Sequence, residues 1–581
     1  MESSLIEFEL KDVLQDPILL NSFEGFLTTK GEQKNLFFIE AMNQLRHEVD
    51  SSKEIEDTLY RIYTSFIKKG SLLQIDITTR QSVESRIQSS RWATLDQEEA
   101  TDILRETEHE VMAILSRELD VFLSASRHDG SLRRLRVNNG PTNSLQKRVL
   151  IVGGGFTGFT VASILDPMPL FHVTLIDTKD SFEYTPQILS KIANPKQSSS
   201  LRFPHSSYVK NGKVIIGYAE DICQDAKCVK VNSEEIGFDY LVVAPGSSYA
   251  GQFKSTDHSS LYRATGLKKI ADDILSAKNI LIIGAGLVGC ELAATIAQQE
   301  HHPKKKVLLV ESQDKIIPRS SEKQRKKAME YLAGLGVEVI LNERITFISM
   351  DEADTYHGSS GRVYSSRDYT VLMATGVRVN SGFVRNSTNT PSLETCVDNY
   401  GLIRVRPTLQ IAHWKYNHIF AGGDATNVIE EKTAYAATIA GVCIARNICR
   451  LEKGKEPIEQ GHKGLLAPPL KTLHGIKSQG GIGKKPLSFL ERKLSFLNPT
   501  WQILKFFNEQ QFFDLVQKTS RKSSLIGRIP RTMQLPKQHT NALHSKLIDS
   551  LSDHMSSDTS SCGNSQINSI WSDEMDQDVL Q

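Results

Sequence analysis

The sequence has little that would tie it to a bilayer, to nucleic acid or to an oxidising compartment. None of its 581 residues falls in an unbroken apolar run of about 18, the length a helix needs to cross a membrane, so no span is expected. Lys and Arg number 69 against 68 Asp and Glu, a net charge of +1, which removes the bulk electrostatic case for nucleic acid. Seven thinly scattered cysteines suit free thiols in a reducing compartment, with no disulfide framework. No Cys/His cluster has zinc spacing, and no metal is expected. The opening MESSLIEFELKD is acidic, without the pattern of a targeting segment, and Glu2 stands where myristoylation needs glycine. A cytoplasmic location is the expectation.

What is present falls into blocks, and the length suggests about three or four domains. Residues 1–125 carry apolar residues at three- and four-residue spacing, as in LKDVLQDPILLNSFEGFL and EVMAILSRELDVFLSA, and read as an all-α bundle. Residues 126–146 lose that periodicity and read as a linker. From Lys147, short β-branched runs alternate with helical segments: VLIVG, FHVTLID, YLVVAPG, NILIIGAG, KVLLVES, HIFAGGD. This is the texture of a doubly wound α/β chain. Residues 519–581 are polar and Ser-rich, a composition that suits a disordered tail.

Two glycine motifs carry the chemistry. In VLIVGGGFTGFTVA the pattern G-x-G-x-x-G is met by Gly153, Gly155 and Gly158, with Gly154, Phe156 and Thr157 between them. A strand precedes and an apolar helix follows, the setting in which such a loop cradles a pyrophosphate on a helix N-terminus. Asp177 ends the next strand, about 20 residues on, where an acid is placed to meet ribose hydroxyls. The second motif, ILIIGAGLVGCELAA, uses Gly284, Gly286 and Gly289, with Leu287 and Val288 inside it and Glu311 as its acid. A carboxylate there repels a 2′-phosphate, which favours NADH over NADPH. Two dinucleotide sites in one chain imply cofactor-to-cofactor chemistry: a held flavin and a visiting nicotinamide. Further nucleotide contacts are expected from Gly246, from Gly376 in VLMATG, and from Gly423 and Asp424 in HIFAGGDAT. Thr433 and Ala434 start a helix whose positive end suits a reduced flavin.

Residues from about 147 to 510 resemble the two-dinucleotide-binding-domain flavoproteins, in particular the apoptosis-inducing-factor and ferroptosis-suppressor branch. DSFEYTPQIL, MATGVRVNS and GIKSQGGIG carry the similarity outside the glycine motifs. The resemblance implies FAD at the first motif, NAD(P)H at the second, Asp424 on FAD, Glu291 near the nicotinamide, and hydride passing through flavin to a quinone. It implies a flavin domain in two parts (147–262 and 386–455) around a nicotinamide domain (263–385), then a small region (456–518). Two positions depart from the branch: Pro245 interrupts an ATG motif, and Ser190, with Lys191 beside it, replaces a flavin-contacting arginine. Cys223 and Cys228 have the spacing of a disulfide reductase's redox pair, but in those enzymes the pair opens the helix after the first glycine motif. Here they read as structural, and Cys290 as a packing residue. No protein group is nominated as a catalytic acid or base. Lys432 and Glu431 fall near the expected flavin edge, and a surface role is an equal alternative.

The helical block, residues 5 to 125, resembles an RGS domain through DVLQDPILLNSFEGFL, KNLFF, IDITTR and DVFLSA. The resemblance implies a G-protein α subunit as partner, met by Asn35. Lys34, Gln74 and Arg117 depart from the usual contact residues, so a helical scaffold without GTPase-accelerating activity is the alternative. For the whole chain, the alternative to a quinone reductase is a signalling scaffold whose flavoprotein part senses redox state or serves structurally. In the distal segment Phe, Leu and Trp501 mix with Lys and Arg. Two readings stand: a cover for the flavin domain, or a peripheral membrane surface.

Overall fold

The computed structural model describes residues 8–460 except 48, 50–51, 90–94, 130–145, 194–201, 250–252, 255–259, 300–304, 319–321, 351–353, 376, 386, 388–390 and 430–431. Gly376, Glu431, residues 130–145 of the expected linker and everything distal to Gln460, including GIKSQGGIG and Trp501, lie outside the described residues. Residues 126–129, expected as linker, instead continue the last helix of the first block.

The first block folds as helices α1 (Leu10–Gln15), α2 (Pro17–Lys30), α3 (Gln33–His47), α4 (Ser52–Ile62), α5 (Ile77–Ser89), α6 (Gln97–Ile103) and α7 (Arg105–Asp129). Local chemistry sets their ends. Asp16 caps α2 by accepting from the amides of Ile18 and Leu19, and Pro17 occupies the first helical position, where a missing N–H costs nothing. Gly31 ends α2 in the left-handed region, φ 73°. The apolar stripes meet in a core of Phe23, Phe38, Met42, Leu45, Leu59 and Leu115.

The remainder is built on two parallel sheets. Strands β1 (Lys147–Val152), β2 (Phe171–Asp177), β3 (Lys213–Ile216), β4 (Tyr240–Val243) and β9 (Ile419–Ala421) form the first, in the order β9-β4-β1-β2-β3. Strands β5 (Asn279–Ile283), β6 (Lys306–Val310), β7 (Glu338–Ile340) and β8 (Thr370–Met373) form the second, ordered β7-β6-β5-β8. Both faces of such sheets are covered, which is why their central strands read as continuous apolar runs. Helix α8 (Phe156–Leu165) follows β1, helix α9 (Leu287–Gln298) follows β5, and helix α10 (Ala434–Leu451) lies against α8. An antiparallel ribbon, Ser247–Tyr249 with Val377–Val379, joins the two folds. Among the described residues no helix is long and apolar enough to cross a membrane.

Three short strands, Ala219–Cys223, Cys228–Val231 and Glu234–Gly237, form a separate meander. Here the expectation of free thiols is corrected. Cys223 and Cys228 are register partners across the first hairpin, with Cα atoms 5.3 Å apart, and they are joined in a disulfide. Cys290, Cys396, Cys443 and Cys449 are free.

The helical block is docked on the α/β part. Ile216 of β3 is 3 % exposed and lies within the helical core. The ring of Phe37 meets Tyr262 at 5.3 Å and His47 stacks on Tyr218 at 4.3 Å. Lys11 pairs with Glu234 at 2.8 Å, and Glu54 pairs with Arg378 of the ribbon.

Candidate functional site

The two glycine loops are built alike. Gly153 and Gly284 follow their strands with φ of 98° and 104°, a region an L side chain rarely enters. Their amides donate to Ile176 O and Val310 O, both at 2.7 Å, which ties each loop to the neighbouring strand. Gly158 and Gly289 lie one turn into their helices. A Cβ on either would sit 1.8 Å from the carbonyl oxygen of Gly153 or Gly284, so only glycine lets helix and loop close up. Gly155 and Gly286 are the N-caps of α8 and α9, and neither helix start has a side-chain cap. The space beside both caps is open, with no atom within 4 Å of an added Cβ. Uncapped first-turn amides facing open space fit a pyrophosphate.

Each acid holds its own loop. Asp177 Oδ2 accepts from the Gly154 amide at 2.8 Å, and Oδ1 accepts from the Lys179 amide at 3.2 Å. Glu311 repeats this: Oε2 accepts from the Ala285 amide at 2.7 Å and Oε1 from the Gln313 amide at 3.0 Å. Burial raises the Asp177 pKa, but Lys179 and His205 outweigh it, so the carboxyl stays well below its usual range.

The other expected residues divide. Phe156 packs on Phe182 and Tyr184, and the Thr157 hydroxyl donates to Ala437 O at 2.8 Å, so these side chains hold α8 in place. Gly246 and Gly423 turn with φ of 68° and 77°. Between them Asp424 accepts from Ser247 Oγ at 2.7 Å and pairs with Lys254 at 2.6 Å. Burial raises its pKa, and Lys254 and Ser247 bring it below the usual value. Thr433 caps α10 by accepting from the Ala436 amide at 3.2 Å, leaving Ala434 as its first residue. Lys432 donates to Thr426 O and Val428 O and secures the loop before α10. In the first turn of α9, Leu287 is exposed and Val288 half-buried. Beyond them is Glu291, whose carboxyl burial pushes up to about 7. Cys290 is buried and its thiol is pushed up to about 12, by burial first and Glu311 second.

Sequence reasoning missed three features. Lys254 is the partner of Asp424. Glu183 and Arg263 form a buried ion pair at 2.9 Å, the arginine also donating to Phe253 O. His205 is fully buried, with Nε2 3.2 Å from Asp177 Oδ2 but out of line for a hydrogen bond, and with Nδ1 bonded to the Tyr208 hydroxyl. Nothing local marks any of them, since each partner is distant in the chain or, for Tyr208, an unremarked loop residue.

Comparison with known proteins decides the family. The profile of the pyridine nucleotide-disulphide oxidoreductases matches residues 147–441. The chain belongs to that family. Members use FAD and NAD(P)H, and this oxidoreductase has two relatives in Dictyostelium discoideum that share its α/β part. Apoptosis-inducing factor homolog B is 30% identical over 358 residues, covering 58% of this chain and 89% of the relative. Apoptosis-inducing factor homolog A is 32% identical over 355 residues, covering 56% and 82%. Ferroptosis suppressor protein 1 of Xenopus laevis is 27% identical over 351 residues, covering 58% and 88%. Ahead of this part, residues 9–122 match the regulator of G protein signaling domain. The oxidoreductase therefore carries an RGS domain at its N-terminal side.

Proposed function

We propose that this oxidoreductase takes hydride from NADH and delivers electrons to a quinone-type acceptor through FAD, with FAD at the Gly153 loop and NADH at the Gly284 loop. The observation that carries the reading is the duplication itself: two uncapped helix starts with glycines in the same geometry, each loop held by an acid. When bound, FAD supplies hydride acceptance at N5 and onward transfer of two electrons. The chain's own residues bind and orient. The amides opening α8 and α9 meet the pyrophosphates. Asp424, held by Lys254 and Ser247, presents a fixed carboxylate between the Gly246 and Gly423 turns. Glu311 keeps negative charge where NADPH would bring a phosphate, which supports NADH. The quinone follows from the resemblance to the apoptosis-inducing-factor and ferroptosis-suppressor branch. Purified protein should be yellow and bleach anaerobically with NADH; a colourless protein that takes up no FAD overturns the reading. An acceptor panel of ubiquinone analogues, menadione and oxygen identifies the electron sink.

For the RGS domain, binding of a G-protein α subunit is the first reading. One observation favours the scaffold alternative. Asn35 is 2 % exposed, and its amide donates to Glu32 Oε2 at 2.8 Å and to Glu32 O at 3.1 Å. Single-turnover GTP hydrolysis by α subunits separates the two: acceleration supports the first, and none with any subunit leaves the scaffold.

A further inference from the structure

The RGS domain touches the α/β part at two places that both lead to Asp177. The first is backbone. Ile216, part of the helical core, is the register partner of Asp177 across β2 and β3, and the next amide, Gly217 N, donates to Asp177 O at 2.9 Å. The second is side chain. Helix α2 packs against the turn His205–Ser207, and His205 is the residue whose Nε2 stands 3.2 Å from Asp177 Oδ2. That nitrogen is buried, aimed into the first glycine loop, and has no hydrogen bond. The fit is close: a Cβ on Gly154 would lie 2.4 Å from His205 Cε1 and 2.5 Å from Asp177 Oδ2. Behind it, the Tyr208 hydroxyl is hydrogen-bonded to Nδ1, and the Tyr208 ring packs edge-on against Phe159 of α8 at 4.6 Å.

We infer that the RGS domain is a cis-acting support of the FAD site: its docking places Ile216 and His205, and His205 is the positioning residue that sets Asp177 and the Gly154 amide for binding. Docking of the helices and loading of the first loop are then linked equilibria. Whatever favours the docked state favours FAD, and FAD favours docking by the same factor. A protein that pulls the helices away would therefore weaken FAD binding without reaching the site. The inference rests on FAD occupying the Gly153 loop.

The test uses the full chain and reads FAD affinity by fluorescence titration of protein stripped of flavin. Lys11→Glu, Phe37→Glu and Glu54→Lys together weaken docking and leave every residue of the α/β part unchanged. This triple variant should raise the FAD Kd about tenfold, the scale of an ordinary coupling between sites. His205→Leu should do the same, whereas His205→Gln, which keeps a polar nitrogen beside Asp177, should stay within about threefold of the parent. In the parent chain, FAD should slow amide hydrogen exchange across Pro17–Lys30. If the parent binds FAD while the triple variant binds equally well and exchange in Pro17–Lys30 is unchanged, the inference is wrong. His205→Leu binding like the parent likewise overturns the part given to His205. A triple variant whose helices fail to fold by circular dichroism leaves the exchange measurement on the parent to decide. A parent that binds no FAD overturns the functional reading beneath, a result distinct from those above.

Discussion

Asp177 accepts a hydrogen bond from the amide of Gly154 over 2.8 Å, across 23 residues of sequence. The acid expected to face a ribose is thus also the clamp on its own glycine loop. A charge-assisted bond of this kind contributes about 1.5–3 kcal/mol. Asp177→Asn keeps the shape and removes the charge, so FAD affinity and stability should both fall at neutral pH. The sign with pH follows from the depressed pKa. The stabilisation is fully present above the unfolded value near 3.8 and is lost as pH falls through the lower folded value. The stability gap between variant and parent should therefore close on acidification; a constant gap from about pH 7 to about pH 3 contradicts it.

Gly158→Ala and Gly289→Ala each force a Cβ to within 1.8 Å of a carbonyl oxygen in their own loop. The damage should be local to one cofactor. Gly158→Ala should purify with little or no flavin. Gly289→Ala should remain yellow and show a KM for NADH raised by about tenfold or more. Absorbance at purification and steady-state kinetics distinguish the two.

Glu291 has the opposite titration sign to Asp177. Burial raises its folded value to about 7, above the ordinary 4.5. Folding therefore holds its proton, and stability drains away as pH rises between those two values. Glu291→Gln should melt at about the same temperature as the parent near pH 4.5 and higher than it at about pH 8. A variant that gains nothing at the higher pH would show the carboxyl to be ordinary.

Cys223 and Cys228 sit in a hairpin, while α8 carries no cysteine. Cys223→Ser with Cys228→Ser should thus leave the rate of NADH oxidation within about twofold of the parent. Losing the cross-link should lower stability by about 2 kcal/mol, the loop-entropy scale for so short a closure. A large loss of turnover would instead put the pair on the electron path.

Cofactor choice should rest on Glu311, the acid of the second loop. Glu311→Gln removes the charge that opposes a 2′-phosphate, so the ratio of kcat/KM for NADPH over NADH should rise by about tenfold. Because Glu311 also holds the Ala285 amide, both rates should fall. An unchanged ratio would remove Glu311 from cofactor discrimination.

The parts of the site written in local spacing were legible in the sequence. Gly153, Gly155 and Gly158 follow from the needs of one turn, and their copies at Gly284, Gly286 and Gly289 from the same needs. Asp177 and Glu311 could be nominated because a strand ends there. His205 and Lys254 were not, because what makes them matter is a partner distant in the chain. The disulfide was misread for a related reason: Cys223 and Cys228 come together only once the hairpin register that pairs them is known. The RGS helices were legible from apolar periodicity, but Ile216 was not legible as part of their core. It belongs to a strand of another fold, and its burial depends on docking.

The ribbon pairs Tyr249 directly with Val377, so the chain departs from the first sheet and rejoins it at one spot. Everything between is a cassette with adjoining ends, since all five strands of the first sheet lie outside it. A short turn spliced from 249 to 377 would preserve that sheet's order and delete the second nucleotide fold whole. The scar would be the helix Ile188–Ala193, whose apolar side is buried in the cassette's own core.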